Sequence, residues 1–327
     1  MGGLVGVRCG GAAHDTGAMS TVLPSTARPG WQLVVGPVLI AVAWPAYWTV
    51  TGRYSEDLFL PLWLGYVITV DGLVRLRTGT SLLTARPRLF LLLLPLSSAL
   101  WVFYELYNHV LGNWRYLASA RHGRLLWDLV QAVHFSTVIP VLWETRDLLR
   151  PLVRPARVRG RRLPLSRAGE RAVCAAGVLA LVVPLLAPRQ TYPLLWCALF
   201  LLLDPVNLWR GRPSLLGDAA AGRWGEAVLL ALTGLVGGFF WEFWNSGSAG
   251  YRWVYDTPGV NGWPHLFEMP LPGYLGYVPF AFSVHALTVL ALGPLLPATG
   301  RRRAATGPAT GSVSRSGCEE PVGGEGQ

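Results

Sequence analysis

Long apolar runs, separated by short stretches dense in arginine, set the pattern of this chain. Eight runs approach the ~20 apolar residues that a helix needs to cross a ~30 Å hydrocarbon core. They cover roughly residues 31–50, 57–74, 89–109, 126–143, 172–188, 191–207, 226–245 and 274–296. Period-two alternation is missing, which argues against a β-barrel. The fourth run carries Asp128, Gln131 and His134, so it should face protein rather than lipid. The pattern predicts an all-α, polytopic helical membrane protein of about eight transmembrane helices.

The runs fall into two series. Residues 63–83, "WLGYVITVDGLVRLRTGTSLL", align without gaps on 196–216, "WCALFLLLDPVNLWRGRPSLL", with six identities in 21 positions. Trp63 meets Trp196, Asp71 meets Asp204 and Arg77 meets Arg210 at an offset of 133. One helix later "FYELYN" (103–108) meets "FWEFWN" (240–245), pairing Glu105 with Glu242 and Asn108 with Asn245. Then Trp114 matches Trp253, Tyr116 matches Tyr255, Asp128 matches Glu268 and Pro140 matches Pro279. Ordered matches at a nearly constant offset predict an internal duplication into two parallel four-helix repeats, related by an axis along the membrane normal. The predicted organisation is a tail (1–30), a first repeat (31–145), a basic linker (146–171), a second repeat (172–297) and a disordered tail (298–327).

Composition adds orientation. Charged residues are only 14% of the chain, well below the roughly one quarter of soluble domains. The net charge of +10 is carried entirely by arginine, and its placement speaks against a nucleic-acid partner. Segments 1–30, 75–88, 144–171, 208–225 and 297–327 hold 22 of the 28 arginines. The positive-inside rule then places both termini in the cytoplasm, in a cytoplasmic (inner) membrane, with membrane lipids as partners. The linker arginines are expected against anionic headgroups. Four cysteines without a CxxC, and histidines without an HExxH box, predict neither a metal site nor a cofactor.

The candidate chemistry follows from this topology. Glu105 and Glu242 lie near the outer ends of their helices, each among aromatic rings, as in "GFFWEFWNS" (238–246). A carboxyl in such a setting is either an interhelical staple, accepting from an indole, a phenol or an arginine, or an acid/base group. Glu242, Glu105, Glu268 and Asp128 are the candidate catalytic acids. Trp241, Trp244, Asn245, Trp253, Tyr255, Asn108 and Trp114 are the candidate substrate-binding residues. Asp71 with Arg77, and Asp204 with Arg210, are expected to form charged pairs at the inner face. The Gly-, Pro- and Tyr-rich stretch "FEMPLPGYLGYVPF" (267–280) predicts a broken start to the last helix, lining a cavity beside Glu242.

The run "YRWVYDTPGVNGWPHLFEMPLPGYLGYVPF" (251–280) resembles the membrane carotenoid (lycopene) cyclases, in which small transmembrane units also occur in tandem. The adjacent Glu-Glu pair of that family is replaced here by Glu268 followed by "MPLPGY", so no catalytic role is carried over. Three functions fit the sequence. The first is a membrane enzyme using carboxylate acid/base chemistry on a hydrophobic, isoprenoid- or lipid-like small molecule near the outer leaflet. The second is a proton- or cation-coupled transporter or channel with its acids between the repeats. The third is a non-catalytic structural or assembly protein. A closed pocket would favour the enzyme, and a continuous polar route between inner Asp and outer Glu would favour transport.

Overall fold

A computed structural model describes residues 30–52, 55–117 and 124–296, with backbone alone for 124–127. Both tails expected from the sequence lie outside the described residues, apart from Gly30. The chain is an all-α, polytopic helical membrane protein. Its first helices are α1 (Gln32–Thr49), α2 (Phe59–Thr78), the one-turn α3 (Leu82–Ala85) and α4 (Pro87–Leu111). A short strand β1 (Trp114–Leu117) leads to α5 (Arg124–His134) and α6 (Val138–Val153). Then come α7 (Arg167–Leu186), α8 (Pro188–Thr191), α9 (Pro193–Trp209), α10 (Leu215–Ala220) and α11 (Gly225–Ser246). Strands β2 (Arg252–Tyr255), β3 (His265–Leu266) and β4 (Met269–Pro270) precede α12 (Tyr277–Leu292).

Among the described residues, six helical segments are long and apolar enough to cross a membrane, and α9 is a shorter apolar helix. Their ends follow ordinary signals. Gly79 and Gly112 close α2 and α4 with φ of 82° and 64°, the left-handed region that favours glycine. Pro87 opens α4, and the Ser166 hydroxyl caps α7 by accepting from Gly169 N.

The fourth predicted span differs from expectation. It is two helices, α5 and α6, joined by a 3-10 turn over Phe135–Thr137. Ser97 of α4 makes the break: its hydroxyl donates to Phe135 O at 2.6 Å and accepts from Ile139 N at 3.0 Å. Pro140 has no N–H to continue the ladder, so turn and proline together bend the path. The helix that continues to the opposite end is α6, which runs through Glu144–Arg150 to Val153.

Helix α1 packs on α2, and α7 packs on α9; α6 sits against α2, α4 and α11, while α12 contacts α9 and α11. Two of these contacts need glycine. A Cβ at Gly36 would lie 2.5 Å from Thr69 N, and one at Gly177 would lie 2.4 Å from Leu202 N. Backbones this close can be kept only without a side chain. Gly177→Ala is therefore expected to push α7 off α9 and to cost about 1–3 kcal/mol. A thermal melt in detergent checks it, and an unchanged midpoint would mean that the helices do not meet as described.

The two aspartates are not ion-paired with the arginines expected for them. Asp71 Oδ1 accepts from Leu83 N at 2.8 Å, and Oδ2 accepts from Ser81 Oγ at 2.8 Å and Gln32 Nε2 at 3.2 Å. Asp204 accepts from Ser214 Oγ at 2.8 Å, Leu215 N at 3.0 Å and Leu216 N at 2.9 Å. Each carboxylate thus satisfies the N–H groups that open α3 or α10, and is itself fully buried. Arg77 and Arg210 are exposed, and hydration of a guanidinium outcompetes a trip into this donor-rich pocket.

At the other end of the bundle, β1 and β2 pair antiparallel, with Trp114 opposite Tyr255 and Tyr116 opposite Trp253. This two-stranded ribbon joins the chain following α4 to the chain following α11.

Candidate functional site

The ribbon is hung from the two helices by asparagines. Asn245 donates to Trp253 O at 2.8 Å and accepts from Trp253 N at 2.9 Å. Asn108 does the same with Trp114, at 2.8 Å to the carbonyl and 3.2 Å from the N–H. An amide side chain offers one donor and one acceptor in this geometry, and a carboxylate could not serve both. Asn108 and Asn245, expected to bind substrate, instead fix the strands, and neither lines the cavity described below.

Each glutamate gathers donors from the ribbon and from a helix: Glu105 from its own helix α4, Glu242 from α12. Glu105 Oε1 accepts from Trp101 Nε1 at 2.8 Å, from Trp114 Nε1 at 3.0 Å and from the Tyr116 hydroxyl. Glu242 Oε1 accepts from the hydroxyls of Tyr255 at 2.6 Å and Tyr277 at 2.5 Å. Trp253 Nε1 in turn donates to the Tyr255 hydroxyl at 2.7 Å. Glu105 is half-buried, whereas Glu242 is fully buried and its Oε2 has no hydrogen-bond partner. Burial, and then the neighbouring carboxyl, push the Tyr116 and Tyr255 phenols well above their ordinary range. Both therefore stay neutral donors at any ordinary pH.

Between the two sets lies a cavity of about 210 Å³. Trp101, Trp114 and Tyr116 contribute one part of its wall; Trp241, Trp253, Tyr255 and Tyr277 contribute another. Phe135 from the turn after α5, Tyr192, Pro193 and Trp196 from the start of α9, and Phe280 of α12 complete the aromatic lining. The irregular entry to α12 also lines it: a 3-10 turn covers Leu271–Gly276, and Met269, Pro272, Gly273 and Gly276 face the space. Neither glutamate is among the lining residues. The groups that reach the cavity are their phenol and indole partners, so the acids stand one residue behind the wall. A dry cavity of ~150 Å³ holds a benzene ring, so this one suits a single ring-sized or branched apolar group.

Other residues singled out by sequence lie elsewhere. Trp244 is buried against Trp63, with ring centroids 4.8 Å apart, and does not line the cavity. Glu268 faces Arg252 at 3.5 Å, partly exposed. Asp128 is exposed on α5, where the broken fourth passage turns it outward. His109 Nδ1 lies 2.7 Å from Glu105 O, on the same helix. Among the described residues, no group of three or more His, Cys, Asp or Glu could hold a metal. The residues that sequence reasoning missed are Tyr277, Trp101 and the α9 face. Tyr277 did lie inside the stretch flagged for its Gly, Pro and Tyr content, which was the available signal.

Compared with family models, with curated proteins and with solved structures, the chain matches none.

Proposed function

We propose that this protein is a membrane enzyme that moves a proton to or from a hydrophobic, isoprenoid- or lipid-like molecule, one end of which occupies the aromatic cavity. The observation that carries the reading is the pair of phenols, Tyr255 and Tyr277, which face the cavity and share Oε1 of the buried Glu242. A phenol alone is a weak acid. Backed by a carboxyl, it can pass its proton to an alkene or enol carbon while recovering one from Glu242, by reversal of the same hydrogen bond. The carboxyl would carry that proton on Oε1, the oxygen that faces both phenols. The faces of Trp101, Trp241 and Trp253 would stabilise positive charge developing on the bound group. Glu105, half-buried and sharing one oxygen among three donors, is assigned the staple role.

A closed-site reading is favoured over a through-route. On α2 the buried residues from Trp63 to Asp71 include Tyr66, Val67 and Val70; on α6 they include Val138, Ile139, Val141 and Leu142. This apolar layer, about 12 Å deep along α2, separates the cavity from the buried aspartate. The arginine distribution supports a cavity toward the outer leaflet of a cytoplasmic membrane, with both termini inside. Duplication of a four-helix unit is supported by three correspondences. Strand pairing between β1 and β2 is self-complementary under the sequence alignment. The glycine contacts fall on Thr69 and Leu202, which are also aligned. Asp71 and Asp204 cap equivalent turns.

The test uses the purified full chain. Organic extraction and mass spectrometry should recover a hydrophobic molecule from the native protein. Gly276 lines the cavity, and a Cβ there meets only Trp196 Cδ1 at 3.8 Å. Gly276→Leu should therefore fill the space, abolish recovery of the molecule and leave the melting temperature nearly unchanged. Equal recovery from both proteins would refute occupancy of this cavity.

A further inference from the structure

The end of the bundle opposite the ribbon holds a second carboxyl that the capping of α3 does not need. Glu144 of α6 is 1% exposed, and neither of its oxygens has a hydrogen-bond donor. α6 packs on α2 here, with the Tyr66 hydroxyl 2.8 Å from Thr145 Oγ1, and the neighbour that acts on Glu144 across this contact is the Asp71 carboxylate, itself an acceptor and 0% exposed. The arginines nearby are committed elsewhere. Arg146 and Arg150 bind Glu226 of α11, and Arg75 of α2 donates to Gln32 of α1 at 3.2 Å. Asp147 of α6 adds a further negative charge to this environment, and His285 of α12 stacks on Trp143 beside Arg146.

The second half supplies an internal control. Asp204 caps α10 through Ser214 Oγ and the N–H groups of Leu215 and Leu216, as Asp71 caps α3 through Ser81 Oγ and Leu83 N, and no glutamine bonds it. By the Pro140–Pro279 match, the position equivalent to Glu144 is Ser283, which bonds Trp196 O at 2.9 Å and Phe200 N at 3.0 Å. Capping therefore works without a second acid. Two neighbouring carboxylates, buried and without a cation, cannot both be ionised, and one proton shared between them removes the conflict.

We infer that Glu144 and Asp71 form an exchangeable proton site, with Glu144 as the neutral acid donating to Asp71. The ligand is a proton, and the site is a clasp: with the proton bound, α6 is tied to the corner made by α1, α2 and α3. Without it, two like charges face each other across that contact and drive the helices apart. The site lies beyond the apolar layer from the aromatic cavity and does not depend on the function proposed for it.

Hydrophobic carbodiimides react with protonated carboxyls in apolar surroundings, so dicyclohexylcarbodiimide is the probe. Treating the full chain in detergent and mapping adducts by mass spectrometry should show labelling at Glu144 that falls as pH rises and is indifferent to sodium. Protection by sodium at constant pH would overturn the proton assignment in favour of a cation. Failure to label Glu144 in folded protein would overturn the site itself. Glu144→Gln provides a second measurement, because its amide can donate to Asp71 permanently. Its melting temperature should lose the decline at rising pH that the native protein shows. The same decline in both proteins would show that the clasp is not the titrating element.

Discussion

Glu242→Gln is expected to lower turnover of the molecule recovered from the cavity by roughly 10²–10⁴-fold, the usual contribution of a positioned acid/base group. The substitution keeps an oxygen that can accept from Tyr255 or Tyr277, so the wall should stay in place. What it removes is the capacity to hold and release a proton. The two phenols separate positioning from chemistry. Tyr255→Phe and Tyr277→Phe each leave Glu242 one cavity-facing partner, and each should retain part of the activity. The double substitution leaves the carboxyl without a route to the cavity and should match Glu242→Gln. Glu105→Gln should change turnover far less, because Glu105 is half-buried and serves three donors at the other wall. Rates measured at saturating substrate, with folding checked by size-exclusion profile, decide the matter. A double phenylalanine variant as active as the native protein would remove the phenols from the mechanism.

The helices were legible because run length is a property of consecutive residues. So was the likeness of the Glu105 and Glu242 motifs, since both are written in consecutive residues. The break in the fourth passage was not legible: its cause, Ser97, is 38 residues from the Phe135 carbonyl it binds. The ribbon was hidden for a related reason. Strands of four residues are not stable alone, and each exists through a partner more than 130 residues away. Placing the acids behind the cavity wall required Tyr277, which is 35 residues from Glu242 and carries no local mark of that contact. The aspartates misled for a different reason. A nearby arginine is visible in sequence, whereas the backbone N–H groups that bind Asp71 and Asp204 belong to every residue and leave no trace.

That last point has a measurable consequence at Asp204. Asp204→Ala would strand the N–H groups of Leu215 and Leu216 at a buried helix start, while the Ser214 hydroxyl could still accept from Gly217 N. Each buried donor left without an acceptor costs about 1–3 kcal/mol, so a total loss of roughly 2–6 kcal/mol is expected. Asp204→Asn should fall between alanine and the native residue, because it keeps one acceptor oxygen but turns an NH2 toward a site built of donors. Arg210→Ala should cost less than about 1 kcal/mol, since Arg210 is exposed and does not bind the aspartate. An ion pair would make the aspartate and arginine variants comparably unstable, whereas a helix-start cap makes only the aspartate variants unstable. Denaturation midpoints for the three variants in one detergent distinguish the two cases. Equal losses for Asp204→Ala and Arg210→Ala would restore the pair and remove the cap.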